Sequence, residues 1–333
     1  MNCCPNCFND DFLTEQINSI SKNIGDCDYC KTQKIEIINP NLLSDYFQPV
    51  IDLYEDSKDG LNLVELLKKD WILFFDLDIE ISKKLIEDIL ETKFDNLFIP
   101  KSNMDVRNIL NWQEFKDELK HINRYFPKKA PSYSHLNGLL QNLIMPVSKV
   151  PKYLFRARIN ENENSIPIEK MGKPPAKIST AGRANPIGIP YLYTASNPET
   201  AISEIRPHKG DKVTIATFEV IKSLKFADLR NPRQTISPFS LSEDGLNQLF
   251  LDLNYLCHLG EELSKPILPR EAHLEYLSSQ YLCELIKDCG FDGVVYKSSV
   301  GSGDNFAIFY DEKLIAINIK CYKIDNVNFD FSE

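Results

Sequence analysis

No run in the 333 residues approaches the 18 consecutive apolar positions that a membrane-crossing helix needs, and the opening Met1-Asn2-Cys3-Cys4-Pro5-Asn6-Cys7 has neither the basic cluster nor the apolar stretch of a signal peptide. The expectation is a cytoplasmic chain with no membrane contact. Positive charge is also short. A formal net charge of −10 argues against a broad grip on a nucleic-acid backbone. The sequence lacks GxGxxG, a Walker A loop, HExxH and GxSxG, which removes Rossmann dehydrogenases, P-loop nucleotide triphosphatases, zinc proteases and α/β-hydrolases. His273-Leu274-Glu275 has no Pro-Cys-x-x-Cys after it, so zinc deaminase chemistry is excluded too. What is present, 43% hydrophobic and 26% charged residues, is ordinary globular composition with chain enough for two cores. Composition leaves open whether the chain forms a homo-oligomer.

Cysteine usage fits a reducing compartment. Four of the nine cysteines form Cys4-x-x-Cys7 and Cys27-x-x-Cys30, with the 19 residues Phe8 to Asp26 between the pairs. Two such knuckles, each with turn formers inside (Pro5-Asn6 and Asp28), have the spacing of a structural four-thiolate zinc site. Cys3 competes with Cys4 for the first ligand position. Neither pair lies in the βαβ setting of a thioredoxin-like motif. Cys257, Cys283, Cys289 and Cys321 are scattered, and buried thiols are their default reading.

The rest of the chain divides by pattern. Residues 1–40 are the zinc knuckle. Residues 41–150 read as helices, with apolar residues near three-four spacing in the segments 42–54, 60–70 and 81–90, a break at Lys128-Lys129-Ala130-Pro131, and a further helix from His135 to Met145. Residues 151–333 mix strands and helices: Val213 onward alternates, Asp244 to Leu263 and Glu271 to Asp288 are helical, and Gly290 supplies a stop. The order gives an α+β fold class, not a regular βαβ alternation.

Within that last part, Ala181 to Arg206 concentrates the chemistry. Gly182 and the Asn185-Pro186…Gly188 cluster punctuate a loop carrying Arg183. Ile189 to Ala195 then alternates as a strand, with Tyr191 and Tyr193 on one face. Asn197-Pro198 starts a helix, Asn as N-cap and Pro at the first helical position. At about 100° per residue Glu204 lies about 60° from Ala201, on the flank of the buried stripe of Ala201, Ile202 and Ile205, where a carboxylate borders a cleft. One arginine, one tyrosine and one glutamate on three successive elements are suited to a nucleotide's glycosidic bond. An Arg grips a diphosphate bidentately, an aromatic ring stacks on a cationic base, and a carboxylate stabilises an oxocarbenium ion. Arg156 and Arg158 alternate onto one strand face and reach toward the same ligand; Asn305 and Gln280 are second-tier polar candidates.

The Gly182-Arg183 loop, the Pro190-x-x-Tyr193 strand and the Ala201-x-x-Glu204 helix resemble the RES domain, named for arginine, glutamate and serine. The likeness continues in Tyr276 to Ile286, Gly290 to Ser299 and Asp304 to Tyr310, and spans roughly Pro151 to Ile319. Lys297 stands where members often have proline, and Ala184 where they often have tryptophan. The resemblance implies an ADP-ribosyltransferase-like mixed sheet and an NAD-consuming bacterial toxin or antiphage defence effector, often neutralised by an Xre-like antitoxin. It implies Arg183, Tyr193, Glu204 and Ser298 as catalytic residues, with Ser299 and Ser302 as competitors for the serine, and members often show an arginine at the Arg156–Arg158 strand; beside these, the residues' own pattern makes Arg156, Arg158, Tyr191 and Asn305 the candidate NAD-binding residues. NAD glycohydrolysis or phosphorolysis is the first reading. ADP-ribosyl transfer to a macromolecule is the second, and a partner-binding protein with an inactive cleft the third. Residues 41–150 resemble the HEPN-like helical domain attached to some RES proteins; Arg107 and Arg124 lack the following His of helical ribonucleases, so this part reads as non-catalytic.

Overall fold

The computed structural model describes residues 1–101, 111–267 and 270–327; Arg107 lies outside them. Contacts divide the chain into two units, Met1–Ile109 with Arg233–Asn254, and Leu110–Pro232 with Tyr255–Glu333. Residues 41–150, read above as one helical stretch, therefore contribute to both.

The first unit begins with the cysteine knuckle. Asp10 caps α1 (Asp11–Ile20) by accepting from the Leu13 amide, and β1 (Asn23–Gly25) pairs antiparallel with β2 (Ile35–Ile37). There follow α2 (Ser44–Ile51), β3 (Tyr54–Ser57), α3 (Leu63–Trp71), α4 (Ile79–Leu90) and β4 (Leu97–Pro100). Asn62 and Glu65 form a reciprocal capping box at the start of α3, which satisfies two otherwise orphaned amides. The three helical patterns are helices, but Tyr54 leaves the first of them to begin a strand that pairs with β4. That pairing joins segments some forty residues apart, so no local periodicity announces it. Phe8, Phe47 and Phe74, each fully buried, pack with ring centroids 5.8–6.1 Å apart and centre this core.

The second unit contains α5 (Trp112–His121), α6 (Tyr133–Gln141), β5 (Tyr153–Ile159), β6 (Leu192–Ala195), α7 (Pro198–Glu204), β7 (Lys212–Val220) and β8 (Phe226–Asp228). The division between units falls at α8 (Pro232–Thr235) and within α9 (Glu243–Ser264). Then come α10 (Ala272–Glu275), α11 (Leu277–Asp288), β9 (Gly293–Lys297), β10 (Asp304–Ile308) and β11 (Leu314–Lys323). Seven strands form one mixed sheet in the order β11-β7-β5-β6-β10-β9-β8, antiparallel throughout except for β8 beside β9. This is the expected α+β class. β6 starts only at Leu192, because Pro190 has no amide to give a ladder. The Glu271–Asp288 helix is broken at Tyr276 into two. Gly290, at φ 81°, ends α11 in the left-handed region that glycine adopts without strain. Among the described residues no helix is long and apolar enough to cross a membrane.

One side of the sheet is filled by Leu154, Leu192, Phe218, Phe226, Val295 and Phe306, joined by Met145 and Met171. Ala157, Ala195 and Ile215, on the other side, receive Ala201 of α7. Small residues at that contact let the helix lie close to the strands. Phe226 meets Phe306 edge to face at 5.2 Å. Phe226→Ala is expected to cost about 3–5 kcal/mol, read from urea denaturation; a loss near zero would mean that this aromatic pair does not anchor the sheet.

Candidate functional site

The sheet has one seam. β5 pairs with β7 at seven positions and β6 with β10 at four, but β5 and β6 meet at a single register, Phe155 opposite Ala195. A cleft of about 340 Å³ is lined by both strands of this seam, through Phe155, Arg156 and Ala157 on one and Tyr193, Thr194 and Ala195 on the other. Gly182 and Arg183 close it from the loop, Glu204 and Ile205 from the end of α7, and Tyr276, Tyr296 and Asn305 complete it.

Glu204 occupies the place that the helix geometry required. Asn197 accepts from the Thr200 amide at 2.8 Å and starts α7, which then ends at Glu204. One carboxylate oxygen, Oε1, accepts from Ser298 Oγ at 2.7 Å and from Asn305 Nδ2 at 2.6 Å. The Ser298 oxygen in turn accepts from the Gly301 and Val300 amides at 2.9 and 3.2 Å. The Glu204 carboxylate is thus held by one oxygen. Ser298 is the serine of the three candidates that touches it, and Asn305, opposite Ala195 in the ladder, is directed to Glu204.

The Gly182-Arg183 loop is held from several sides. The amide of Asn185 donates to the carbonyls of Thr180, Pro186 and Ile189 at 2.9–3.1 Å. Tyr193 donates from its hydroxyl to Asn185 Oδ1 at 2.8 Å and accepts from the Ala184 amide at 3.1 Å. From α11, Ser279 donates to the Arg183 carbonyl at 2.6 Å and Gln280 to the Gly182 carbonyl at 2.8 Å. A Cβ at position 182 would stand 2.5 Å from Asn185 Oδ1 and 2.6 Å from the Tyr193 hydroxyl, so only glycine lets the loop approach. Arg183 itself donates from one terminal nitrogen to the carbonyls of Leu263 and Lys265, just where α9 ends.

Arg156 differs from its neighbours in having nothing to bond. Its Nε and one terminal nitrogen are buried without a hydrogen-bond partner among the described residues, and so is the Thr194 hydroxyl on the facing strand. Burial, with the charge of Arg158 nearby, pushes the Arg156 guanidinium down to about 10. A desolvated, unsatisfied cation on a cleft wall is a standing demand for an anion. Arg158 and Tyr191 are not brought to the cleft. Arg158 donates to the Lys170 carbonyl at 2.8 Å, and Tyr191, 1% exposed, packs against Phe309 at 4.7 Å. Simple alternation placed each with its i+2 neighbour, but Tyr191 precedes the strand and Arg158 is drawn off by the Lys170 carbonyl. Tyr276 and Tyr296 were not singled out in sequence. Tyr276 carried a usable signal, since it lies one helical turn before Gln280 and so on the same face.

A second cluster lies in the first unit. The sulfurs of Cys4, Cys7, Cys27 and Cys30 all fall within 4.8 Å of one another, with Cys4–Cys30 and Cys7–Cys27 at 3.4 Å. A tetrahedral ion with metal–sulfur bonds near 2.3 Å separates its ligands by about 3.8 Å, so the set fits a metal. A 3₁₀ turn at Pro5–Cys7 brings the first pair together, and the Cys27 amide donates to Thr32. Cys3 is outside the set. It is fully buried and bridges to Ile38 through its backbone.

The family model of the RES domain matches residues 154–331, more than half of the chain, and the chain belongs to that family, whose toxins act on NAD. No curated protein matches it. A solved structure similar to it is the M. tuberculosis MbcT-MbcA toxin-antitoxin complex, at 12% identity and a TM-score of 0.33, over 56% of this chain and 92% of that one.

Because Arg156 is buried with two of its nitrogens unpaired among the described residues, Arg156→Met is expected to stabilise the protein in the absence of NAD by about 1–3 kcal/mol in urea denaturation. Equal or lower stability in that variant would mean that the guanidinium is already satisfied.

Proposed function

We propose that the cleft binds NAD and breaks its nicotinamide–ribose bond, so that the protein acts as a toxin or defence effector that depletes NAD. The observation that carries this reading is the Glu204 carboxylate, the one acid among the described residues lining the cleft, fixed by Ser298 and Asn305 through one oxygen and leaving the other for a sugar. Nicotinamide in NAD is already a cationic pyridinium. As the C1′–N bond breaks, its electron pair goes to the ring nitrogen and nicotinamide leaves neutral, so no general acid is needed. Positive charge develops on the ribose as an oxocarbenium ion. Glu204 stabilises it electrostatically and accepts from the ribose hydroxyls, an effect worth several kcal/mol in a dry site. Arg156, with no partner of its own, and Arg183, with one nitrogen on the end of α9, hold the diphosphate. Tyr193 ties down the loop that carries Arg183. Water captures the cation and releases a proton, giving ADP-ribose, or inorganic phosphate captures it and gives the 1-phosphate.

Purified protein incubated with NAD is expected to release nicotinamide, and Glu204→Gln to lower that release about 100-fold or more with an unchanged melting temperature. Runs with and without inorganic phosphate identify the acceptor by product mass. Label appearing on protein from labelled NAD would establish ADP-ribosyl transfer instead, and retained turnover in Glu204→Gln would reject Glu204 as the central residue. Membership of the RES family further supports a protein partner of the antitoxin class.

The four converging thiols of the first unit are proposed to hold one structural zinc ion, which closes the loop between the two knuckles. Metal analysis is expected to find one zinc per chain. Cys27→Ser is expected to lose the ion and to lower the melting temperature; a metal-free protein of full stability would rule the zinc out.

A further inference from the structure

Among the described residues four aromatic side chains line the cleft, and three have other commitments. Phe155 packs into the cluster beneath α7. Tyr296 is 3% exposed, which leaves almost no ring surface to offer. Tyr193 has its hydroxyl bonded on both sides, donating to Asn185 and accepting from Ala184, so its ring orientation is set by the loop it restrains. Tyr276 is different. It is half-buried, lines the cleft, and its hydroxyl has no hydrogen bond among the described residues.

The surroundings of Tyr276 make it a prepared surface. It stands at the break between α10 and α11, and the Gln280 amide donates to its carbonyl at 2.9 Å, so its backbone is the first turn of α11. The same turn carries Ser279 and Gln280, whose side chains hold the carbonyls of Arg183 and Gly182. On the side of the break toward α10, Glu275 is paired with Lys116 and Lys120 of α5 at 3.1 and 2.5 Å. Tyr276 is therefore fixed at its backbone from both directions while its ring is left to the cleft. A rigid ring with an unused face, beside an arginine loop, suits a planar heterocycle joined to a phosphate.

We infer that Tyr276 is the ring on which a base of the dinucleotide stacks, and that Tyr193 acts as a positioning residue for the Arg183 loop. This rests on the reading of the cleft as an NAD site and adds to it the residue that recognises a base. Stacking on an aromatic side chain contributes about 1–3 kcal/mol per base, a 5- to 100-fold effect on affinity.

Binding is measured by calorimetry on the Glu204→Gln protein, which holds NAD without consuming it, using NAD, ADP-ribose and nicotinamide mononucleotide. Adding Tyr276→Leu, which keeps apolar bulk and removes the ring, is expected to weaken NAD by about 5- to 100-fold, whereas Tyr276→Phe stays within about threefold. Tyr193→Phe keeps its ring and is nevertheless expected to weaken binding, because the loop loses its tie. A loss with ADP-ribose alone assigns the adenine to Tyr276, and a loss with nicotinamide mononucleotide alone assigns the nicotinamide; both support the inference. Tyr276→Leu binding NAD as tightly as its parent, or Tyr276→Phe as weakly as Tyr276→Leu, overturns it. Failure of the Glu204→Gln parent to bind NAD at all overturns the NAD reading, and this inference with it, before any change at Tyr276.

Discussion

The site depends on one carboxylate being immobilised by one of its oxygens. Glu204 sits at the very end of a seven-residue helix, a position that would fray in isolation. It is held because the turn between β9 and β10 packs on α7: the Gly303 amide donates to Thr200 of the helix, and the turn presents Ser298 while β10 presents Asn305. Two donors on one oxygen fix the direction of the acid and leave its second oxygen unencumbered. Preorganisation of this kind keeps reorganisation cost out of the reaction, which is the condition under which a single charge is effective.

Around that acid the structure separates holding from touching. Asn185, Tyr193, Ser279 and Gln280 spend their polar groups on the loop backbone. Arg156, which lines the cleft, leaves its Nε and one terminal nitrogen unpaired among the described residues. Buried polar groups in folded proteins are nearly always paired, so an unpaired guanidinium lining a cleft is unusual and agrees with the proposed anionic ligand.

Much of this was legible in the sequence, and the reasons are specific. Asn197-Pro198 announces a helix start by local chemistry, and counting residues from it places Glu204 on a flank facing the strands. The two C-x-x-C pairs announce their convergence by spacing alone. What local patterns could not carry were relations between distant segments. The pairing of β3 with β4 joins pieces with no shared periodicity, and the donors to Glu204 come from residues about a hundred positions downstream. Tyr191 and Tyr193 look interchangeable by alternation; only the start of β6 after Pro190, and the packing of Tyr191 on Phe309, separate a core ring from a loop tie.

The single rung between β5 and β6 has a mechanical consequence. Elsewhere adjacent strands share several backbone bonds, but along this line the two halves of the sheet are stitched once, at Phe155 and Ala195. Because residues of both strands line the cleft, a molecule bound there would touch both sides of this line. On the reading of the cleft as an NAD site, binding would stabilise the folded sheet by mass action, with the added contacts falling on the line where the ladder is thinnest.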